Sequence, residues 1–364
     1  MKQGRRSFIK TAGTFGLALP LAGTSFFKRQ ADQPLGIAVI GLGSYAKNQI
    51  GVALENSPEW KLVGIVTGTA SKIPEWKKRF PSIKDENVFN YENFDNIVNA
   101  KDIDVVYICL PNGLHPEFTI RAAKAGKHVI CEKPMANTVE EAEQMLNACN
   151  KAGVKLAIGY RCHFEPFNQE VMRYGKEKTF GKINFMQTNF GFKIGDPTQW
   201  RLKKKMAGGG PLMDVGIYCV QAARYTLGME PISVTAQFGP VTDPTRFAEV
   251  EESVSWQLTF PEGITVNGFS SYKTNVETMF ASCDKGNFEM SPAWSYGPLK
   301  GKTPNGEMKL PIVHHQTFQM NGMAPYFRSK DPLPDHFSGV EGLKDMKILM
   351  AIYKAAKTGK SVKL

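Results

Sequence analysis

Leu35-Gly36-Ile37-Ala38-Val39-Ile40 runs directly into Gly41-Leu42-Gly43-Ser44-Tyr45-Ala46, and the reading of this stretch decides the fold. Six small or apolar residues with no polar alternation predict a strand buried on both faces. A G-x-G-x-x-[GA] pattern is weak by itself, but here it lies between such a strand and a helical pattern. In that position the first Gly makes a tight turn and the second lets backbone approach a pyrophosphate. The small third residue lets helix and strand pack closely, and the N–H groups that open the helix hold phosphate oxygens. Gly41, Gly43, Ser44, Tyr45 and Ala46 are the first candidate dinucleotide contacts.

Further along the chain the pattern alternates. Leu62–Val66, Asp104–Leu110, His128–Cys131 and Lys155–Gly159 are further apolar runs rich in β-branched residues. Pro116–Ala125 and Thr138–Ala152 are helical patterns between them, the second opening on a Thr138/Glu141 capping box. Strand–helix alternation predicts βαβ units on a parallel sheet. The second half reads differently. Strands are predicted at 182–191, 232–238, 253–260 and 264–271, the last two joined by Pro261-Glu262-Gly263, as in an open, mostly antiparallel sheet. Residues 297–309 read as a surface loop and 335–357 as a final helix, with Asp335 as N-cap and Gly359 just past the end. The expected class is α/β: an N-terminal Rossmann dinucleotide-binding domain over 31–160, then an α+β domain over 161–364 with a large, mostly antiparallel open sheet.

The nucleotide choice rests on a missing acid. NAD sites place Asp or Glu at the end of the second strand to bind the ribose 2′-hydroxyl. Here that strand continues Val66-Thr67-Gly68-Thr69-Ala70-Ser71-Lys72. Lysine and hydroxyl groups suit a 2′-phosphate, so NADP is expected over NAD, with Thr67, Gly68, Ser71 and Lys72 around it.

Further motifs follow in order: Pro111-Asn112-Gly113-Leu114-His115, Cys131-Glu132-Lys133-Pro134, Gly159-Tyr160-Arg161-Cys162-His163, Gln199-Trp200-Arg201-Leu202 and Gly208-Gly209-Gly210-Pro211-Leu212-Met213-Asp214-Val215-Gly216-Ile217-Tyr218. Across nearly the whole chain after residue 31 this order resembles the Gfo/Idh/MocA oxidoreductases, most of all their glucose-fructose branch. The resemblance implies hydride transfer between a nicotinamide and a sugar or polyol carbon. It places Leu110, Pro111, Asn112, His115, Glu132 and Arg161 beside the dinucleotide, Tyr160 and Arg161 in or beside the active site, and Trp200 and Arg201 over cofactor or substrate. The residues also make chemical sense directly. Oxidising a hydroxyl needs a proton acceptor and a cation for the developing alkoxide. Asp214 and Tyr218 are four apart and share a helical face. Lys133 ends a buried strand at the carboxyl edge of the sheet, where such sheets bind ligands. Tyr218 is the expected proton acceptor and donor, with Lys133 and Asp214 polarising and orienting; Tyr160, Lys133, Asp214 and Tyr218 are the expected sugar contacts. A cofactor that never leaves, reduced by one sugar and reoxidised by another, is the strong form of this reading. A redox-cycling glycosidase and a non-catalytic sugar sensor are its alternatives. The stretch between leader and first strand is short for the long N-terminal arm of the glucose-fructose enzymes.

Composition bounds the rest. The chain has 364 residues, 42% hydrophobic and 22% charged, with a net charge of +11. Such values exclude disorder and a multi-span membrane protein. The charge invites a nucleic-acid reading, but six basic residues and no acid precede residue 31, and a chain starting near there carries +5. Gly4-Arg5-Arg6-Ser7-Phe8-Ile9-Lys10 resembles the core of a twin-arginine export signal. The 17 residues between Lys10 and Lys28 hold Pro20 and three Gly, too short and interrupted for a span. Residues 1–30 are therefore read as a leader to the periplasm or otherwise out of the cytoplasm, with no stable membrane anchor and no nucleic-acid partner. Six cysteines lack any C-x-x-C pair and are expected to be free thiols. His163 and His336 are expected to pack locally and His314-His315 to be a loop pair. No metal spacing is present. A homodimer or tetramer is expected.

Overall fold

The computed structural model describes residues 33–364; the expected leader lies outside them. The strands are β1 Leu35–Ile40, β2 Trp60–Val66, β3 Val88–Phe89, β4 Val105–Ile108, β5 His128–Cys131 and β6 Leu156–Ile158 in a first sheet. β7 Ile183–Gly191, β8 Ser233–Phe238, β9 Ser253–Thr259, β10 Thr265–Ser271, β11 Val276–Cys283, β12 Gly286–Met290, β13 Gly301–Thr303, β14 Gly306–Glu307 and β15 Val362–Lys363 form a second. The helices are α1 Gly51–Glu55, entered through a π-helical turn over Ala46–Ile50, α2 Ile73–Arg79, α3 His115–Lys124, α4 Val139–Ala152, α5 Pro166–Glu177, α6 Lys204–Ala207, α7 Ile217–Leu227, α8 His315–Arg328 and α9 Gly339–Thr358.

The first sheet is parallel throughout, in the order β3-β2-β1-β4-β5-β6. The chain leaves β1 toward β2 on one side and returns to β4 on the other, so a crevice opens at the carboxyl ends of β1 and β4. Alternate residues of β1 face opposite cores. Ile37 and Val39 pack with α8 residues Met320, Met323, Ala324 and Phe327, whereas Ala38 and Ile40 share the core of α3, α4 and α9. The Thr138/Glu141 capping box opens α4 as the spacing predicts.

The second sheet has nine strands, antiparallel except for the β7–β10 pair. The four predicted strands match β7–β10 within a residue or so at each end. The expected loop at 297–309 instead carries the β13–β14 hairpin, whose short ladders of Gly, Lys and Thr lack a β-forming signal. The final helix is capped by Ser338, not Asp335; 335–337 form a separate 3₁₀ turn, and Gly359 ends α9 in the left-handed conformation. Residues 315–358 return to the parallel sheet, where Ala157 and Ser338 form a bridge and Trp60 Nε1 donates to the Met320 carbonyl at 2.7 Å. All six cysteines are free.

Candidate active site

The turn after β1 is built for a phosphate-bearing ligand. Gly41 has φ +88°, and a Cβ there would lie 2.5 Å from the Cys109 carbonyl oxygen, so the chain just after β4 leaves room only for glycine. A Cβ on Gly43 would meet nothing within 4 Å, which leaves its backbone open to a ligand. Ala46 is buried where the helix meets the strand. Ser44 is exposed and accepts a hydrogen bond from Asn48. After β2, the Thr67 hydroxyl caps the turn by accepting from the Thr69 N–H at 3.1 Å. Ser71 is exposed, Lys72 half-buried, and no described carboxylate pairs with Lys72. A nicotinamide dinucleotide fits this cradle: bare backbone at Gly43, a helix start beyond it, and a cation where a 2′-phosphate would lie.

Two of the expected dinucleotide contacts use their side chains to hold the backbone around the crevice. His115 is completely buried, its Nε2 2.8 Å from the Leu110 carbonyl and its Nδ1 3.0 Å from that of Pro134. Burial holds it neutral, with a pKa down at about 4. A neutral ring carries one N–H, so it donates to one of these carbonyls and packs against the other, between the ends of β4 and β5. Asn112, also buried, donates to the Ala207 carbonyl at 2.9 Å and fixes the loop after β4 against α6. Pro111 begins that loop and Leu110 lines its buried side.

Lys133, Asp214 and Tyr218 come together at the carboxyl end of β5. Lys133 Nζ donates to the backbone carbonyl of Asp214 at 2.8 Å, lies 3.8 Å from its Oδ1, and sits 4.7 Å from the Tyr218 ring centroid. Asp214 lies in the first turn of a π-helical segment, Leu212–Gly216, that continues into α7 with Tyr218, and both side chains come to Lys133. Before Lys133, the Glu132 carboxylate accepts from Tyr107 at 2.7 Å and bonds Tyr45, which anchors the phosphate loop to the strand end. Burial, opposed by Lys133 and Tyr107, leaves Glu132 above the usual carboxylate range.

Arg201 is tied into the same cluster: its Nε donates to Asp214 Oδ2 at 2.9 Å, and its guanidinium lies 4.7 Å from the Trp200 ring centroid. Tyr272, on the second sheet's side, donates to the same oxygen at 3.1 Å. Burial pushes the Asp214 carboxyl up, but Arg201 and Lys133 together outweigh it and hold it below the usual range. Tyr160 departs from expectation as a sugar contact. Its hydroxyl donates to Asp345 of α9 at 2.6 Å inside a buried network with Gln221 and Arg224, so only its ring borders the site. His163 packs there as expected, bonded to Gln221 at 2.8 Å and in tilted ring contact with His336.

The cation that acts most on Tyr218 is Arg161. Burial raises the phenol well above its ordinary value, and Arg161, 4.9 Å from the ring centroid, is the largest opposing influence. Arg161 is itself buried, held by His315 at 2.7 Å and by the Trp294 carbonyl. His315 is therefore the first residue of α8 and a buttress of the site, not half of a loop pair. No sequence signal marked His315, Trp294 or Tyr272, which reach the site from 154, 133 and 58 positions away from their partners.

Known proteins resemble this chain along most of its length. Residues 35–160 match the model of an oxidoreductase family with an NAD-binding Rossmann fold, GFO_IDH_MocA, and residues 169–289 match the GFO/IDH/MocA C-terminal domain. The chain belongs to the Gfo/Idh/MocA oxidoreductases. Among solved members, the crystal structure of an aldose-aldose oxidoreductase from Caulobacter crescentus, complexed with glycerol, superposes with a TM-score of 0.85 at 40% identity, covering 91% of this chain and all of that one. A D-xylose 1-dehydrogenase [NADP(+)] from Haloarcula marismortui is 28% identical over 92% of this chain and 94% of its own length. A D-glucoside 3-dehydrogenase from Escherichia coli is 27% identical over 92% and 98%.

Proposed function

We propose that this protein is an NADP-dependent aldose oxidoreductase that oxidises one sugar and passes the hydride to another without releasing its cofactor. The observation that carries the reading is the convergence of Lys133, Asp214 and Tyr218 at the sheet edge, supported by Lys72 after β2 and by similarity to an aldose-aldose oxidoreductase and NADP-dependent xylose dehydrogenases. When bound, the nicotinamide accepts and returns the hydride of a sugar C–H bond. Tyr218 takes the proton of the reacting hydroxyl. Lys133 stabilises the negative charge that develops on that oxygen. Asp214 holds Lys133 in place, and Arg201 and Tyr272 hold Asp214. A phenol kept high by burial retains the proton it has taken, ready for the second sugar. The purified protein incubated with D-xylose or D-glucose, and with no added nucleotide, is expected to form oxidised sugar and alditol in equal amounts. Products only on addition of NADP would leave a simple dehydrogenase. Glycoside cleavage without net redox change would select the glycosidase alternative.

Retention also suits export. We infer that residues 1–30 are a twin-arginine leader, because that route carries folded, cofactor-loaded chains to a compartment without a nicotinamide pool. The Arg5→Lys/Arg6→Lys double variant is expected to stay in the cytoplasmic fraction. The solvent face of the second sheet, with Gln187, Ser255 and Gln257 exposed, is the proposed surface for a homodimer or tetramer. Native mass spectrometry would report assembly and bound nucleotide together.

A further inference from the structure

Tyr296 is half exposed, at 52%, yet the segment just before it is held by hydrogen bonds from three elements. Trp294, two residues earlier, is completely buried. The Glu277 carboxylate of β11 accepts the backbone N–H groups of Trp294 and Ser295. Asn168 of α5 donates to the Ala293 carbonyl at 3.3 Å, and Arg161 donates to that of Trp294. A lone exposed aromatic residue ordinarily needs no explanation. This one follows directly on an anchored segment, and its ring leans on the active site. The Arg161 guanidinium lies 4.8 Å from the Tyr296 ring centroid and 4.9 Å from that of Tyr218. The Tyr45 ring, on the phosphate loop, is 6.4 Å away. One buried cation therefore bridges the reacting phenol and an aromatic ring that is otherwise open to solvent.

We propose that Tyr296 is a platform on which a pyranose ring stacks while its reacting hydroxyl meets Tyr218. The face of an aromatic ring is electron-rich, and the carbon-bound hydrogens of a pyranose carry slight positive charge. A closed sugar ring presents several such hydrogens on one flat face, which an open-chain polyol does not. A rigid loop adds no ordering cost when the sugar binds. This assignment rests on the sugar reading given above and makes Tyr296 a determinant of ring-form substrates.

The test is calorimetric titration of the NADP-loaded protein with D-glucose, D-xylose and sorbitol, with turnover measured separately. Tyr296→Ala is expected to weaken pyranose binding about tenfold, the size of one aromatic contact. Tyr296→Phe is expected to stay within twofold, and sorbitol binding within twofold in both variants. The proposal is overturned if Tyr296→Ala binds pyranoses like the wild type. It is equally overturned if Tyr296→Phe loses as much as Tyr296→Ala, which would make the hydroxyl the contact. A weakened NADP affinity in place of sugar affinity would put the ring on the dinucleotide side and also overturn it. Wild-type protein that binds neither pyranose refutes it outright. Wild-type protein that binds pyranoses through Tyr296 but turns none over refutes the oxidoreductase activity and leaves this inference standing.

Discussion

Lys133 donates to the main-chain carbonyl of Asp214, at 2.8 Å, while the carboxylate of the same residue lies 3.8 Å from its Nζ and is bonded by Arg201 and Tyr272. The ammonium is thus held by a backbone atom and only neighboured by a charge. It keeps donor capacity for a substrate oxygen, because an ammonium has three protons and the carbonyl uses one.

This arrangement makes Lys133 a source of charge for the reacting oxygen more than a structural tie. Lys133→Met is expected to lower kcat by about 10²–10³-fold, the usual cost of removing one donor aimed at a developing oxyanion. Thermal stability should fall by only about 1 kcal/mol, the net worth of one hydrogen bond. Turnover within threefold of the wild type would refute the assignment.

Tyr218 carries a pH signature. Burial raises its phenol, and Arg161 only partly offsets that. A general base is active in its deprotonated form, whose fraction grows tenfold per pH unit below the pKa. Sugar oxidation is therefore expected to rise with pH past neutrality and to keep rising above the ordinary tyrosine value of about 10. Sugar reduction, which needs the protonated phenol, should stay level over the same range. Tyr218→Phe should remove the rise. A plateau of oxidation near pH 7 would show that the loaded site holds the phenol low.

Asp214 titrates in the opposite direction. Its carboxyl is held below the usual range because Arg201 and Lys133 outweigh burial. A depressed folded value contributes stability that is present above the unfolded pKa of about 3.9 and is lost as pH falls through the folded one. Arg201→Gln should raise the Asp214 value and move both the acid limb of activity and acid unfolding to higher pH. The loss near neutrality should be modest, about 1 kcal/mol, because the Arg201 side chain is a third exposed. Unchanged acid limbs would show that Arg201 does not govern Asp214.

What the sequence shows about this site is what lies close along the chain. The β1–Gly41–Gly43 unit, the Glu132-Lys133-Pro134 strand end and the Asp214/Tyr218 spacing are local patterns; the first two fold as read, and the third lies on a π-helical turn that still brings both residues to Lys133. The partners that tune them are distant: Tyr272 for Asp214, His315 for Arg161, Asp345 for Tyr160. Hydrogen-bond partners so far apart leave no periodicity to detect. α8 is hidden for another reason. It contains Pro325 and buries Gln316 and Gln319 alongside its methionines, so its apolar stripe is broken. Arg201 was readable as functional, but its partner depended on how the 199–214 segment folds back on itself.

Nucleotide choice gives a further prediction at Lys72. The segment after β2 carries no acid, and Lys72 stands half-buried without a described carboxylate partner. A lysine meeting a 2′-phosphate makes charge-assisted hydrogen bonds, each contributing about 1.5–3 kcal/mol. Lys72→Glu should therefore weaken NADP binding by about 10–100-fold and leave NAD binding within about threefold. The NADP effect should shrink as salt rises, since a partly exposed charge pair is screened. Gly68→Asp is a poorer probe of the same question, because a Cβ at Gly68 would lie 2.9 Å from the Tyr91 ring. NADP binding within threefold of the wild type after Lys72→Glu would make Lys72 a solvated helix-start residue, and the preference for NADP would then have to come from the Thr67 and Ser71 hydroxyls alone.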